Sequence, residues 1–309
     1  MTDIPQRTLG STGLEVTTLT YGAMELRGKP RGRDLAEEDV GRLLNAVLDG
    51  GINLIDTSID YGLSEERIGR HLSHRREEYT LASKCGCLVG WEPTGETVTG
   101  FRGGGPHDFS RANIVAGVEQ SLRRLRTDHL DIVQVHSSPE LEELRDHDVV
   151  ATLQDLQRQG KVRFIGMSGT LPNVSDHIGL GVFSVFQIPY SAVEREHETA
   201  ISDAAGSGAG VIIRGGAARG APSREERAVQ RNPRLATAWE RADLQELLDG
   251  MSPMEFTLRF TLSHPDMTTT IVGTANPEHL TANIDAASKG PLPEQLYAEA
   301  KRRLDEAAD

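Results

Sequence analysis

The chain has 309 residues, with 33 Lys and Arg against 46 Asp and Glu, for a formal net charge of -13. That acidity opposes general affinity for nucleic acid or anionic membrane, both of which need clustered cations, and 37% hydrophobic with 26% charged residues is an ordinary globular composition. No apolar run nears the roughly 20 residues of a membrane span, and "MTDIPQRTLG" lacks a secretory core, so the cytoplasm is the expected compartment.

In chain order, "RTLG" and "LEVT" around Ser11 to Gly13 predict an N-terminal hairpin, after which short apolar runs alternate with amphipathic segments. The predicted strands are "TLTYG" from Thr18, "INLID" from Ile52, "YTLASK" from Tyr79 and "LDIVQVH" from Leu130. They continue with "VRFIGMS" from Val162, "SVFQIP" from Ser184, "GVIIRG" from Gly210 and "TTTIVG" from Thr268. Most lack polar alternation, as parallel strands buried on both faces do. Between the first two, Val40, Leu43, Leu44, Val47 and Leu48 repeat at helical spacing before Gly50 and Gly51 stop the helix.

Eight βα units predict one closed (β/α)8 TIM barrel over residues 1–309, with an open doubly wound sheet as the rival. No GxGxxG follows the first strand; the nearest match is "YGAMELRG". Two connections are unusually long. Leu88 to Phe109, after the third strand, holds six glycines, and Arg214 to Ala238, after the seventh, holds six arginines against two glutamates. Such loops carry substrate and cofactor contacts in barrels, or else are solvated insertions. Cys85 and Cys87 are too few for a disulfide framework or a metal site of their own; they read as free thiols, with a redox pair or a reactive thiol as the alternative.

Polar residues end three consecutive strands: Asp56, Lys84 and His136. In a parallel barrel these ends share one mouth, and Tyr61 enters from the loop that Asp56 begins. A phenol with an ordinary pKa near 10 needs help to work as an acid or base near neutrality; an adjacent ammonium would lower it, and Asp56 would keep Lys84 charged. A neutral His136 would orient a carbonyl oxygen. This division of labour suits hydride transfer to an aldehyde or ketone. Hydrolysis fits less well, since GxSxG and HExxH are absent. Taken singly, a buried Asp or Lys at a strand end is more often a salt bridge and a lone His a satisfied polar residue; it is the four together that point to chemistry. Asp60, beside Tyr61, has no assigned role and is expected to be solvated.

At these residues the sequence resembles the aldo-keto reductase superfamily. The order Asp56, Tyr61, Lys84, His136 is similar to the family's tetrad, framed by "RTLGSTGLEVTTLTYGAM", "INLIDTSIDYGLSEERIG", "SLRRLRTDHLDIVQVH", "GKVRFIGMSG" and "IVGTANPEHLTANI". The resemblance implies a barrel binding a nicotinamide cofactor across its mouth, NADPH ahead of NADH, with Tyr61 as proton donor. It further implies carboxamide contacts from Ser168 and Gln187, with Gly169 where the family commonly has Asn. Arg214 stands where an aromatic often stacks on the nicotinamide. Other implied cofactor contacts are Gly22, Met24, Gly215, Gly216, Ala217 and Gly220, and, in the adenosine phosphate loop, Gly273, Thr274, Asn276, His279 and Asn283. Many members preferring NADPH have Lys where this chain has Gly273 and Arg where it has His279; arginines of the 214–238 loop would then supply charge from above. The substrate would be a small carbonyl or alcohol, with Trp91 lining its pocket or packing on the rim. A cofactor-binding regulatory subunit and a non-redox sugar lyase or epimerase on the same barrel are the alternatives. Oligomeric state is unreadable.

Overall fold

In the computed structural model, residues 3–91, 105–223, 230 and 232–308 are described. The N-terminal hairpin pairs β1 (Gln6–Thr8) with β2 (Glu15–Thr17) in antiparallel fashion. Each apolar run then forms a strand: β3 (Leu19–Gly22), β4 (Leu54–Asp56), β5 (Thr80–Cys85), β6 (Leu130–Val135), β7 (Val162–Ser168), β8 (Val185–Pro189), β9 (Gly210–Arg214) and β10 (Thr269–Val272). These eight close on themselves in the order β10-β3-β4-β5-β6-β7-β8-β9. All eight contacts are parallel. The fold is therefore the (β/α)8 barrel, and the open sheet is excluded.

The first crossover helix, Glu37–Asp49, buries the five residues that its spacing singled out, Val40, Leu43, Leu44, Val47 and Leu48. Its end follows from the glycine pair. Gly51 takes a φ of 90°. That lets its N–H reach the Leu48 carbonyl at 2.9 Å while the Ile52 N–H reaches that of Val47 at 3.2 Å. The chain is thereby turned straight into β4.

One end of the barrel is shut. Leu9, which follows β1, is fully buried in a cluster with Leu54, Ala82, Ile132, Val185 and Ile212 from five strands. The plug sits so close to β9 that a Cβ on Gly10 would fall 2.2 Å from the Gly210 amide nitrogen, and Gly10 has a φ of +51°. Only the mouth at the strands' C-terminal ends is left for chemistry. Strand register sets which groups meet there: Gly22 pairs with Asp56, Lys84 with Gln134, and Ser168 with Gln187. Of the two long connections, residues 92–104 of the first and 224–229 and 231 of the second lie outside the described residues.

Candidate active site

Asp56 ends β4 and Lys84 lies one residue from the end of β5, each only 3% exposed. Lys84 Nζ donates to Asp56 Oδ1 at 2.6 Å and to the Thr57 carbonyl at 2.8 Å. The other carboxylate oxygen, Oδ2, accepts from Gln187 Nε2 at 2.9 Å and Gln134 Nε2 at 3.1 Å. The buried anion is therefore matched by one cation and two amide donors, as a carboxylate removed from water requires. Burial alone would pull the Lys84 ammonium down, yet the charge and hydrogen bond of Asp56 oppose it and its pKa is raised. Lys84 is a fixed cation.

Tyr61 stands over this pair, with Lys84 Nζ 5.0 Å from its ring centroid. The loop "DTSIDYG" delivers it through two tight turns: the Tyr61 N–H reaches the Ser58 carbonyl at 3.0 Å, and the Ser64 N–H reaches that of Tyr61 at 2.9 Å. Gly62 makes the second turn feasible. Its φ is +50°, and a Cβ there would fall 2.4 Å from the Arg27 carbonyl oxygen. The expectation of a lowered phenol pKa is corrected in sign, although Lys84 itself acts in the expected direction. Burial raises it, the Lys84 ammonium pulls against that, and the balance stays above the ordinary value. Tyr61 holds its proton as an O–H donor.

His136 follows β6, its N–H on the Cys85 carbonyl at 3.1 Å. Its Nδ1 lies 3.1 Å from Cys87 Sγ, and burial pushes its pKa down to about 3, so the ring is neutral near pH 7. Both cysteines are free and buried. Asp60 is not solvated: its side chain is 7% exposed, accepts from Ser58 Oγ at 2.7 Å and lies 3.8 Å from Arg31 Nη2. The Arg31 guanidinium also covers the Trp91 ring at 5.7 Å, and a Cβ on Gly105 would fall 2.6 Å from Trp91 Cε3. Trp91 is thus packed against the returning end of its own loop.

The residues expected at a cofactor divide into those at the mouth and those on its rim. Ser168 Oγ donates to Gln187 Oε1 at 3.3 Å, both side chains buried. A Cβ on Gly169 would lie 3.2 Å from Ser138 Oγ, beside that pair. Arg214 ends β9 half-buried and forms no salt bridge among the described residues; Glu194 instead takes Arg219 at 3.2 Å. Burial and the Arg219 charge pull Arg214 below its ordinary value. Gly215, Gly216, Ala217 and Gly220 follow it, and Gly273 follows β10 so closely beside Gly22 that a Cβ on it would lie 2.8 Å from the Gly22 oxygen. Bare backbone therefore runs over three neighbouring strands, β3, β10 and β9. A side chain at Gly22 or Gly216 would collide with Ile271 or Thr270, so these positions are kept bare by packing within the barrel rim.

Met24 sits half-buried in the short turn after β3. The Thr274 carbonyl accepts from the Tyr21 hydroxyl at 2.8 Å, and Asn276 Oδ1 caps helix Pro277–Ser288 by accepting from the Glu278 N–H at 2.9 Å. His279 is exposed and Asn283 half-buried on that helix. Of the loop arginines expected to supply charge, Arg224, Arg227 and Arg231 lie outside the described residues. Two participants escaped the sequence reading. Gln134 was detectable, because it lies two residues before His136 on the same strand and so points the same way. His107, whose Nε2 lies 3.7 Å from Cys87 Sγ and 2.7 Å from Ser137 Oγ, sits near the end of an unpatterned loop and carried no signal.

Comparison with known proteins agrees with this fold. The model of the Aldo/keto reductase family matches residues 18–305. An uncharacterized oxidoreductase of Bacillus subtilis, YqkF, is 27% identical over 303 residues, 94% of this chain and 93% of its own. The L-galactose dehydrogenase of Arabidopsis thaliana is 35% identical over 176 residues, 55% of this chain and 50% of its own. Among solved structures, the holo form of an aldo-keto reductase from Bacillus halodurans superposes with a TM-score of 0.81 at 26% identity, covering 97% of this chain and 96% of its own.

Proposed function

The chain belongs to the aldo/keto reductase family, and from that premise we propose that it is an NADPH-dependent reductase of aldehydes, ketones or sugar-like carbonyls, with Tyr61 as proton donor. The observation that carries the reading is the Lys84–Asp56 pair beneath Tyr61. A phenol that keeps its proton, beside a buried cation, suits an oxygen that gains negative charge: the cation stabilises the phenolate left behind. His136, neutral and opposite, offers an N–H to the same oxygen and sets its direction.

The residues present fit a nicotinamide dinucleotide. The N-terminus of helix Pro277–Ser288 follows β10 at the rim of the mouth, where a phosphate is favoured, with exposed Gly273 between the two. Ser168 and Gln187 would hold the carboxamide, and the Arg214 guanidinium, without a salt bridge among the described residues, would lie against the ring. The bound nicotinamide supplies the hydride. Within the protein, Tyr61 Oη then gives its proton to the substrate oxygen, and Lys84 holds the tyrosinate until solvent restores that proton. Gly273 and His279 supply no fixed cation for a 2'-phosphate, which leaves NADH as the alternative cofactor.

The test is fluorescence titration with NADPH and NADH, followed by absorbance of the reduced nicotinamide during incubation with a carbonyl panel. NADPH binding with turnover is expected. Failure to bind either nucleotide would remove the reading, and binding without turnover across the panel would move the protein to the regulatory-subunit class.

A further inference from the structure

Next to the tetrad, the end of the third-strand loop brings together three side chains that the carbonyl chemistry does not require as a set. Cys87 and His107 face each other across an isolated antiparallel bridge. The Leu88 N–H reaches the Pro106 carbonyl and the Asp108 N–H reaches that of Gly86, each at 2.8 Å. In that arrangement the two bridged residues are the pair not directly hydrogen-bonded to each other, so their side chains approach most closely. His136 comes in from β6, which pairs with β5 through Cys85 and Val135. The third ligand is thus held by the barrel itself. Phe109 stacks on His107 with ring centroids 5.8 Å apart and planes at 16°, holding that imidazole from its other side.

We propose that Cys87 Sγ, His107 Nε2 and His136 Nδ1 form a binding site for a soft divalent cation, Zn2+ being the fitting probe, and that loading it suppresses turnover because His136 is shared. A tetrahedral zinc with one thiolate and two imidazoles needs S···N edges of about 3.5 Å. The two S···N separations here are 3.1 Å and 3.7 Å, and a ligand atom from each residue falls within 4.8 Å of the others. Thiolate plus imidazole selects zinc-like ions over magnesium or calcium. On binding, the Cys87 thiol gives its proton to solvent as the S–metal bond forms, and His107 Nε2 releases its hydrogen bond with Ser137 Oγ. No redox change is involved. Asp60 favours a cation at this place and Lys84 opposes it. The fourth position is left to water. With Nδ1 of His136 on the metal, the ring is no longer free to settle on a substrate oxygen.

The experiment uses tag-free, chelator-treated, reduced protein titrated with Co2+ and then Zn2+. The expected result is one equivalent of Co2+ with tetrahedral d–d bands and a thiolate-to-cobalt charge-transfer absorption, displaced by Zn2+. Cys87→Ser removes that absorption and Cys85→Ser keeps it. His107→Asn, at a half-buried position where folding is easily preserved, weakens binding by about a hundredfold or more, at least what loss of an outer partner costs. Zn2+ also inhibits carbonyl reduction, and a chelator restores it. A charge-transfer absorption that never forms, one that survives Cys87→Ser, or equal affinity in His107→Asn would overturn the site. Saturating Zn2+ with unchanged turnover would overturn the sharing of His136. The cobalt titration needs no catalysis, so its failure is distinguishable from failure of the reductase reading.

Discussion

The amide nitrogen of Gln187 on β8 lies 2.9 Å from Oδ2 of Asp56 on β4, across the width of the barrel. Gln187 was expected only as a contact to the cofactor's carboxamide, yet its donor faces Asp56 and its acceptor, Oε1, receives Ser168 Oγ. The residue therefore couples Ser168 to the carboxylate that holds Lys84. Replacing it with Leu leaves Asp56 Oδ2 with Gln134 alone and strips Ser168 of its partner. A loss of about 1–2 kcal/mol in stability is expected, together with NADPH affinity lower by roughly 3–10-fold. Denaturant unfolding and fluorescence titration check the two parts. Unchanged nucleotide affinity would confine Gln187 to a structural role.

Tyr61→Phe removes one oxygen from a site otherwise set by Lys84, Asp56 and His136. NADPH affinity should stay close to the parent value, while turnover falls by about 10²–10⁴-fold, the usual contribution of a positioned general acid. Stopped-flow or steady-state absorbance of the reduced nicotinamide measures this. A variant with parent-like turnover would take the proton-donor role from Tyr61.

The Lys84–Asp56 pair separates stability from catalysis through a double-mutant cycle. Lys84→Met leaves a carboxylate that is 3% exposed without its cation, which should cost about 3–5 kcal/mol. Adding Asp56→Asn removes the uncompensated charge and should recover most of that loss, since two neutral groups are cheaper to bury than one ion. Turnover should not return, because nothing then stabilises a Tyr61 phenolate. Equal stability of the single and double variants would show that the pair is not electrostatically coupled.

These relationships were unequally legible in the sequence. The eight strands could be read because parallel strands buried on both faces leave apolar runs, and the tetrad because strand ends in a closed barrel share one mouth. The sign at Tyr61 could not, since it depends on how far burial exceeds the Lys84 charge, a quantity absent from spacing. Asp60 looked solvated because its neighbours in sequence are unremarkable; its partner Arg31 lies 29 residues back. His107 was invisible for the same reason, being joined to Cys87 only by the closure of a long loop.

Arg214 tests whether a guanidinium can replace an aromatic face. Forming no salt bridge among the described residues, it presents a planar cation at the end of β9. If stacking is its role, Arg214→Phe should keep NADPH affinity within about threefold, and Arg214→Ala should weaken it by about tenfold, as expected for loss of a contact worth about 1–2 kcal/mol. Equal losses in both variants would show that the charge, and not the flat face, is what the ligand meets.

Asp131, on the opposite side of the barrel wall from this chemistry, should contribute to acid stability. It is 2% exposed, and its Oδ2 accepts from the Leu81 N–H at 2.9 Å and Arg76 Nη2 at 2.6 Å, while Oδ1 accepts from Arg163 Nη1 at 2.6 Å. Burial would raise its pKa, but Arg76, the Leu81 N–H and Arg163 together carry it below the ordinary carboxylate value. A folded-state pKa lower than the unfolded one, near 3.9, means that the unfolded chain binds the proton more readily. The stabilisation is then complete above about pH 4 and is lost as pH falls through the folded value. Asp131→Asn should cost about 3 kcal/mol at neutral pH, towards the low end for a buried pair because Arg163 is half-exposed and can return to water. The gap between variant and parent should close on acidification. Urea midpoints measured from pH 6 to pH 3 provide the check, and a gap that stays constant over that interval would show that Asp131 contributes packing and hydrogen bonds but no linked proton.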